Sequence, residues 1–480
     1  MLRAGKSERP VFGCANSLRK RNECGSLLET PDENSVDHVM VNKSTETRLT
    51  IFRIVGLMTK QMQEMGIFWL SGVAILAVAQ VMVNGLGVWE SGALPGFALK
   101  AAIPLAVCVA IVVLLMMAGD RERTVIAPYV LFFAISATSV FGLTKTLTGS
   151  HASSTNLLLY GLSFYTASLA YIARSRMLTP RAAVLASNPL LIITGPVATQ
   201  FRDIRYRGLR SRADYYLPFV FLGLFLQQTI ATPLTKTFDL LKETDVVSSL
   251  TFATIFELFV YANFCGLSLI IFGLAGLMGF RIPLNFRQPF SSTNVIEFWR
   301  GWHTSLSVVL KSLFYAPTKK QFGTSAALFT VYMGSAMWHG VTLNFALWGL
   351  FHALMFVITL RLLKRGFKVP AFFVLGIAVV IGRMLFADSD SGRLFEKLHF
   401  RFVDFSVVYK LTHMPWTTLL ALGLIIVFVA LEILLQTKPY FSQRNYKFYR
   451  LPVVQFVMLA LMLATIANGV GMDYAVYGQR

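Results

Sequence analysis

Two short stretches of this 480-residue chain set a histidine beside a tryptophan: EFWRGWHTSL, beginning at Glu297, and SAMWHGVTLNF, beginning at Ser335, the second between apolar runs. Imidazole titrates near neutrality, so a positioned histidine can take a proton from a poor nucleophile and return it later. His339 follows Met337 and Trp338 and precedes the long apolar run GVTLNFALWGLFHALMFV. A lone histidine in a soluble core would read as structural. Within a membrane a polar ring is costly, faces a protein interior or wet cavity, and points to function. His352 is the contrast: it lies later in the same run with no polar neighbours in sequence and reads as a packing or interhelical hydrogen-bonding residue.

His303 has another setting. The segment 285–317 is half polar and half aromatic. On one continuous helix Phe298, Trp302 and Ser305 share a stripe, while Trp299, His303 and Leu306 share another. Ser291, Ser292 or Thr293 would cap that helix, with Pro289 just ahead. It reads as an amphipathic helix lying along or dipping into a membrane, and an interfacial anchor and a functional site fit it equally well. There is no Gly-x-Ser-x-Gly elbow, and Cys265 has no activating neighbour in sequence.

The elements that must hold these residues are membrane helices. The chain is 55% hydrophobic and 14% charged, with 40 phenylalanines, whereas soluble domains are about one-quarter charged. Apolar stretches near 67–88, 101–118, 125–143, 156–173, 215–231, 250–278, 324–337, 340–361, 369–387, 416–436 and 451–468 suit bilayer crossing. The expectation is an all-α polytopic membrane protein with about ten or eleven membrane helices, plus re-entrant and amphipathic pieces at 188–200 and 285–317, since a crossing takes about twenty residues.

Residues 1–60 form a polar leader; the first fifty lack hydrophobic period and read as disordered, dispensable for membrane insertion, with 61–480 as the membrane-embedded domain. The net charge of +20 reads as loops held against anionic headgroups, and no soluble module for nucleic acid is visible. Eight arginines between Arg174 and Arg212, with Asp203 the one acid among them, mark a cytoplasmic face. An anionic-ligand site there is the alternative. Four cysteines without C-x-x-C spacing favour neither a disulfide framework nor a metal site.

The run GFRIPLNFRQPFSSTNVIEFWRGWHTSLSVVL, followed by MWHGVTLNFALWGLFHAL, resembles the signature of the membrane-bound O-acyltransferase family, in the branch with bacterial alginate O-acetyltransferase and teichoic-acid D-alanyl transferase. Pieces such as GLSFYTASLAYI, LGLFLQQTIATPL and RMLFADSDS agree in order, so the resemblance covers about 155–390. It departs at Gly301, where a second arginine is expected, and at Gln227 and Gln228, where lysine is common.

The resemblance implies helices around an interior tunnel and transfer of an acyl group from a thioester to a hydroxyl. It implies that His339 is the catalytic residue and His303 a second functional one, with Asn285, Arg300, Trp302 and Trp338 shaping the substrate site and no metal. A hydroxyl attacking a thioester needs a positioned base, for which His339 is suited, while His303 would orient the hydroxyl or stabilise the oxyanion. Acetyl-CoA is the expected donor, with an acylated carrier protein as runner-up. The acceptor would be an exported polysaccharide or cell-envelope glycan at a bacterial inner membrane, and an extracytoplasmic SGNH-type acyltransferase or a polysaccharide-synthesis complex is an expected partner. The competing reading is a transporter or channel lined by histidines and Glu257. It is disfavoured because Glu257 stands as the only acid well inside a span.

Overall fold

The computed structural model describes residues 110–134, 162–188, 190–191, 196–400, 403–435 and 447–470. The leader 1–60 and the stretch 67–88 lie outside the described residues, as do parts of the stretches begun at 101, 125 and 156. In chain order the helices are α1 (Ala127–Ala134), α2 (Leu162–Arg174), α3 (Pro180–Ala186), α4 (Leu209–Phe225), α5 (Val246–Leu277), α6 (Val295–Gly301) and α7 (Thr304–Leu310). They continue with α8 (Ala316–His339), α9 (Leu343–Lys364), α10 (Lys368–Ala387), α11 (Ser391–Leu398), α12 (Ser406–Thr412), α13 (Trp416–Leu435) and α14 (Pro452–Ala467). The strands found among the described residues are the two-residue β1 (Arg202–Asp203) and β2 (Phe280–Arg281), paired antiparallel with Arg202 opposite Arg281.

Among the described residues five helices are long and apolar enough to cross a membrane: Leu209–Lys242, Val246–Leu277, Leu343–Lys364, Lys368–Ala387 and Trp416–Leu434. α14 is shorter. α8 is not among them, and its backbone breaks at Gly323, which has a φ of 83°. α4 runs through a π-turn at Leu226–Ala231 and ends as a 3₁₀ turn at Thr235–Lys242. α5 starts where the Asp245 carboxylate accepts the Ser248 amide at 2.8 Å, satisfying one of the orphan donors of a helix start.

α4 and α5 pack as an antiparallel pair with small residues at the crossing. A Cβ on Gly223 would lie 2.5 Å from the Gly266 carbonyl oxygen, and one on Gly266 would lie 3.0 Å from that of Gly223. Small residues permit such close approach where hydrophobic drive between membrane helices is weak.

The connections sort the ends of these helices into two faces. β1, ahead of α4, and β2, after α5, join at one end. At the other end the Lys397 ammonium binds the Leu241 carbonyl, and Lys410 pairs with Glu243 at 2.6 Å. There Asp388, wholly buried, accepts from Arg393 at 2.7 Å and Lys397 at 2.7 Å. Burial pushes the Asp388 carboxyl up, but those hydrogen bonds and charges hold it below the ordinary aspartate value. Asn344, at the start of α9, donates to the Phe386 carbonyl at the end of α10 at 3.3 Å. That hairpin therefore sends Lys364 to the face of β1 and β2.

The β1–β2 face carries Arg202, Arg205, Arg207, Arg210, Arg212 and Arg281, with Arg205 forked onto Asp203. That hydrogen bond is the main cause pulling the Asp203 carboxyl down to about 2. An arginine-rich face opposite a mixed one follows the positive-inside rule. Reporter fusions at Arg205 and Lys364 are accordingly expected to register as cytoplasmic. Extracytoplasmic signals at both positions would reverse the orientation.

Candidate active site

The segment holding His303 is two helices, α6 and α7, and not the continuous one that the stripe pattern suggests. His303 itself is the break, with φ 44° and ψ 53° in the left-handed region. That conformation is uncommon for a side-chain-bearing residue and persists where the surroundings over-determine it. Here the chain at 284–287 crosses the break. The Arg287 amide donates to the Gly301 carbonyl at 2.8 Å, the Thr304 amide to the Asn285 carbonyl at 2.8 Å, and the Thr304 hydroxyl to the Leu284 carbonyl at 2.5 Å. Gly301 is needed for this approach, since a Cβ there would lie 2.9 Å from the Arg287 carbonyl oxygen. The helix start differs from expectation too. Asn294, and not Ser291, Ser292 or Thr293, caps α6, accepting from Ile296 and Glu297 amides at 3.1 Å each. The Glu297 carboxylate in turn accepts the Thr293 amide at 3.0 Å, a reciprocal capping arrangement.

Asn285 is the centre of a buried polar network. Its Oδ1 accepts from the Ser305 hydroxyl at 2.8 Å and lies 3.4 Å from the Ser305 amide nitrogen and 3.0 Å from His303 Nδ1. Its Nδ2 donates to the Ser268 hydroxyl of α5 at 3.1 Å. The Ser305 amide can only donate, so the oxygen of Asn285 is the atom facing it. His303 Nδ1 must then carry the proton, and in the neutral imidazole Nε2 holds the lone pair. Nε2 is buried without a protein partner. The Ser305 hydroxyl also accepts the Val197 amide at 3.0 Å, and the Ala198 amide donates to the Ser168 hydroxyl of α2 at 2.8 Å. The short apolar piece expected at 188–200 thus ends in buried irregular backbone whose hydrogen bonds are met by protein, the condition for such backbone at membrane depth.

Trp338 connects the two histidines. Its ring lies 6.3 Å from that of His303 and 5.0 Å from that of His339, with Phe164 at 5.3 Å. Its Nε1–H is buried without a partner. An orphan donor and an orphan acceptor, Trp338 Nε1 and His303 Nε2, so lie on neighbouring rings, and native structures rarely leave such groups unsatisfied without reason. His339 is the last residue of α8. Its ring meets Phe386 at 5.0 Å, Trp348 at 5.8 Å and Phe345 at 5.9 Å.

Trp302 is buried against Phe286, Phe298 and Tyr261, with ring distances of 5.0, 5.4 and 5.9 Å. Arg300 is not brought to this site; its side chain is exposed on α6. His352 has more company than its sequence neighbours suggest. It lies 4.9 Å from Trp348, 5.1 Å from Trp299 and 5.9 Å from Tyr332, one ring from His339 through Trp348.

Depth follows from α5. Ser268, Phe264 and Glu257 lie nine, thirteen and twenty residues before its last residue, Leu277, or roughly 14, 20 and 30 Å along the axis. Asn285 is bonded to Ser268, and the His303 ring lies 4.7 Å from that of Phe264, so both are well inside the span.

Among the described residues two acids, not one, lie inside spans. Glu257 is paired with Arg383 of α10, and Glu432 of α13 accepts a hydrogen bond from the Tyr261 hydroxyl. Both are partnered, which removes the bare acid on which a transport path would rest. Sequence reasoning had singled out neither Arg383 nor Glu432, although Glu432 falls within the apolar stretch 416–436. Among the described residues no three His, Cys, Asp or Glu side chains form a group able to hold a metal.

Comparisons with known proteins point to one membrane family. A sequence model of the membrane-bound O-acyltransferase family matches residues 213–386. A probable alginate O-acetylase of Pseudomonas syringae is 29% identical over 280 residues, covering 52% of this chain and 53% of that protein. A peptidoglycan O-acetyltransferase of Helicobacter pylori is 28% identical over 180 residues, 34% of each chain. A teichoic acid D-alanyltransferase of Bacillus subtilis is 24% identical over 171 residues, 32% of this chain and 41% of that one. The match spans about half the length of the alginate O-acetylases. The matched region runs from α4 to α10 and includes Asn285, His303, Trp338 and His339, so the chain carries a membrane-bound O-acyltransferase family domain over residues 213–386.

Proposed function

We propose that the protein is a membrane O-acyltransferase that moves an acyl group, acetyl first, from a thioester to a hydroxyl of an exported polysaccharide or cell-envelope glycan. The observation that carries this reading is the pair of buried, partnerless groups beside His339: the lone pair of His303 Nε2 and the indole N–H of Trp338. A hydroxyl fits the first, and a carbonyl oxygen fits the second.

In the proposed reaction His339 removes the hydroxyl proton as the oxygen attacks the thioester carbon. The carbonyl π pair moves to oxygen, giving a tetrahedral oxyanion. Its collapse expels the thiolate, which takes the proton from His339, leaving ester and thiol. With Nδ1–H already given to Asn285, His303 has an acceptor and no donor to offer, so its part is to hold a neighbouring hydroxyl of the acceptor, while the single proton of the reacting hydroxyl goes to His339. Trp338 Nε1–H is a donor for the oxyanion.

The arginine-rich face supports donor entry from the cytoplasm, with acetyl-CoA as donor and an acylated carrier protein as the other candidate. We place the protein in a bacterial inner membrane, with an extracytoplasmic SGNH-type acyltransferase or a polysaccharide-synthesis complex as partner. Membranes of source cells, retaining their own glycans, are to be given acetyl-labelled acetyl-CoA, with purified alginate and peptidoglycan as added acceptors in parallel. The expected result is base-labile label in the polymer fraction that depends on this protein. Label no greater than in membranes lacking the protein, with every acceptor, would overturn the reading.

A further inference from the structure

We propose that Arg383 is a positioning residue of the acyl-transfer site: it packs on Phe386, the ring that supports His339, and on Trp302, the residue before His303, and fixes one buried positive charge on the His339 side of the site. The inference rests on the acyl-transfer reading above.

Arg383 is 8% exposed on α10, and its Nε forms an ion pair with Glu257 of α5, itself 3% exposed. The guanidinium carbon lies 5.1 Å from the Phe386 ring centre, 5.7 Å from that of Trp302 and 6.0 Å from that of Phe256, all within cation–π range. Trp302 immediately precedes His303 at the break between α6 and α7, and Phe386 packs on His339 at 5.0 Å. One side chain therefore touches the neighbour of each histidine, from a helix that carries neither.

Stability does not explain the pair. Two buried charges replaced by apolar residues of similar volume often leave a protein as stable or more so, whereas removing one partner is costly. Intramembrane charges that persist mark a functional path or site. The reaction supplies the reason here. Negative charge grows on the carbonyl oxygen while His303 presents a lone pair and Trp338 a single N–H. Glu257 sits on the α5 side, so the pair is a fixed dipole with its cationic end over Phe386 and Trp302. A preorganised dipole needs no reorganisation as charge develops.

The test uses the full chain in membranes, with acetyl-CoA as donor and kcat and KM measured per unit of accumulated protein. Arg383→Met alone and Glu257→Leu alone should accumulate poorly, each leaving an unpaired buried charge. The double variant Glu257→Leu/Arg383→Met should accumulate again, yet its kcat should remain down by the order of 10²-fold with KM little changed. A double variant that turns over like the wild type would reduce the pair to packing and overturn the inference. Arg383→Lys and Arg383→Gln give a second comparison that keeps a hydrogen bond to Glu257. Lysine should retain most of the turnover and glutamine lose it; equal rates for these two would also overturn the inference. A wild-type protein inactive with acetyl-CoA overturns the acyl-transfer reading and this inference with it, whereas an active wild type with an equally active double variant overturns this inference alone.

Discussion

Replacing His339 by alanine is expected to abolish labelled acyl transfer while the protein inserts and accumulates at wild-type level. Alanine leaves the space of the imidazole without a base, and the loss of a positioned general base costs roughly 10²–10⁴-fold. The local structure should tolerate the change. His339 ends α8, and the rings around it, Trp348, Phe345 and Phe386, also pack on one another, at 4.8 Å between Phe345 and Phe386 and 5.6 Å between Trp348 and Phe386. His303→Ala should lower the rate less completely, because a water molecule can take the place of a lone pair that only orients a neighbouring hydroxyl of the acceptor. His352→Ala serves as the control. Its ring fills a box made by Trp299, Tyr332 and Trp348, so its removal should lower accumulation through a cavity and leave the rate per folded molecule largely intact. The measurement is label transfer to glycan in membranes, normalised to protein by immunoblot. An active His339→Ala protein would end its assignment as the base. Proportional losses of protein and activity in all three variants would return the histidines to a structural role.

The spans were legible where length and apolarity decide the outcome. The stretch 250–278 matches Val246–Leu277, 369–387 matches Lys368–Ala387, and 416–436 matches Trp416–Leu435. An apolar run of twenty residues has few alternatives in a bilayer, since every backbone group must be satisfied within the segment. The two histidine motifs were also legible, because an imidazole in such a run is conspicuous. The break at His303 was not. Periodicity over 295–310 favours one helix, but the partners that interrupt it, Leu284, Asn285 and Arg287, lie about fifteen to twenty residues away along the chain, beyond what a helical stripe records. The Glu257–Arg383 pair is separated by 126 residues, and no local pattern links its members. Glu432 illustrates a different gap. A single acid in a strongly apolar stretch does not break the span, and its stabilising partner Tyr261 lies on α5. Arg300 shares the motif with His303, yet its side chain is exposed on the short α6.

Replacing Asn285 by leucine should lower both the stability and the rate more than its distance from any reacting group suggests. The amide oxygen is the common acceptor for His303 Nδ1, the Ser305 hydroxyl and the Ser305 amide, and all of these residues are buried. Leucine has nearly the same volume but orphans these donors, and each unsatisfied buried donor costs about 1–3 kcal/mol. Free of Asn285, the imidazole loses the bond that fixes its tautomer, so Nε2 no longer holds its lone pair in every molecule, and the left-handed backbone at His303 loses one of its constraints. Thermal unfolding in detergent should therefore shift down by several degrees, since 1 kcal/mol corresponds to about 2–4 °C in a domain of 150–250 residues. The rate per folded molecule should fall by roughly the 10- to 100-fold typical when an outer partner of a functional histidine is removed. Asn285→Asp separates the two effects. Its carboxylate still accepts from Nδ1 and from Ser305, so it should keep the orientation of His303 and retain more activity than leucine, even though a buried charge lowers its stability. Leucine and aspartate variants with the same rate per folded molecule would show that the tautomer of His303 does not matter to transfer. A leucine variant as fast as the wild type would remove His303 from the reaction and leave Asn285 as the structural brace that holds α6 and α7 apart.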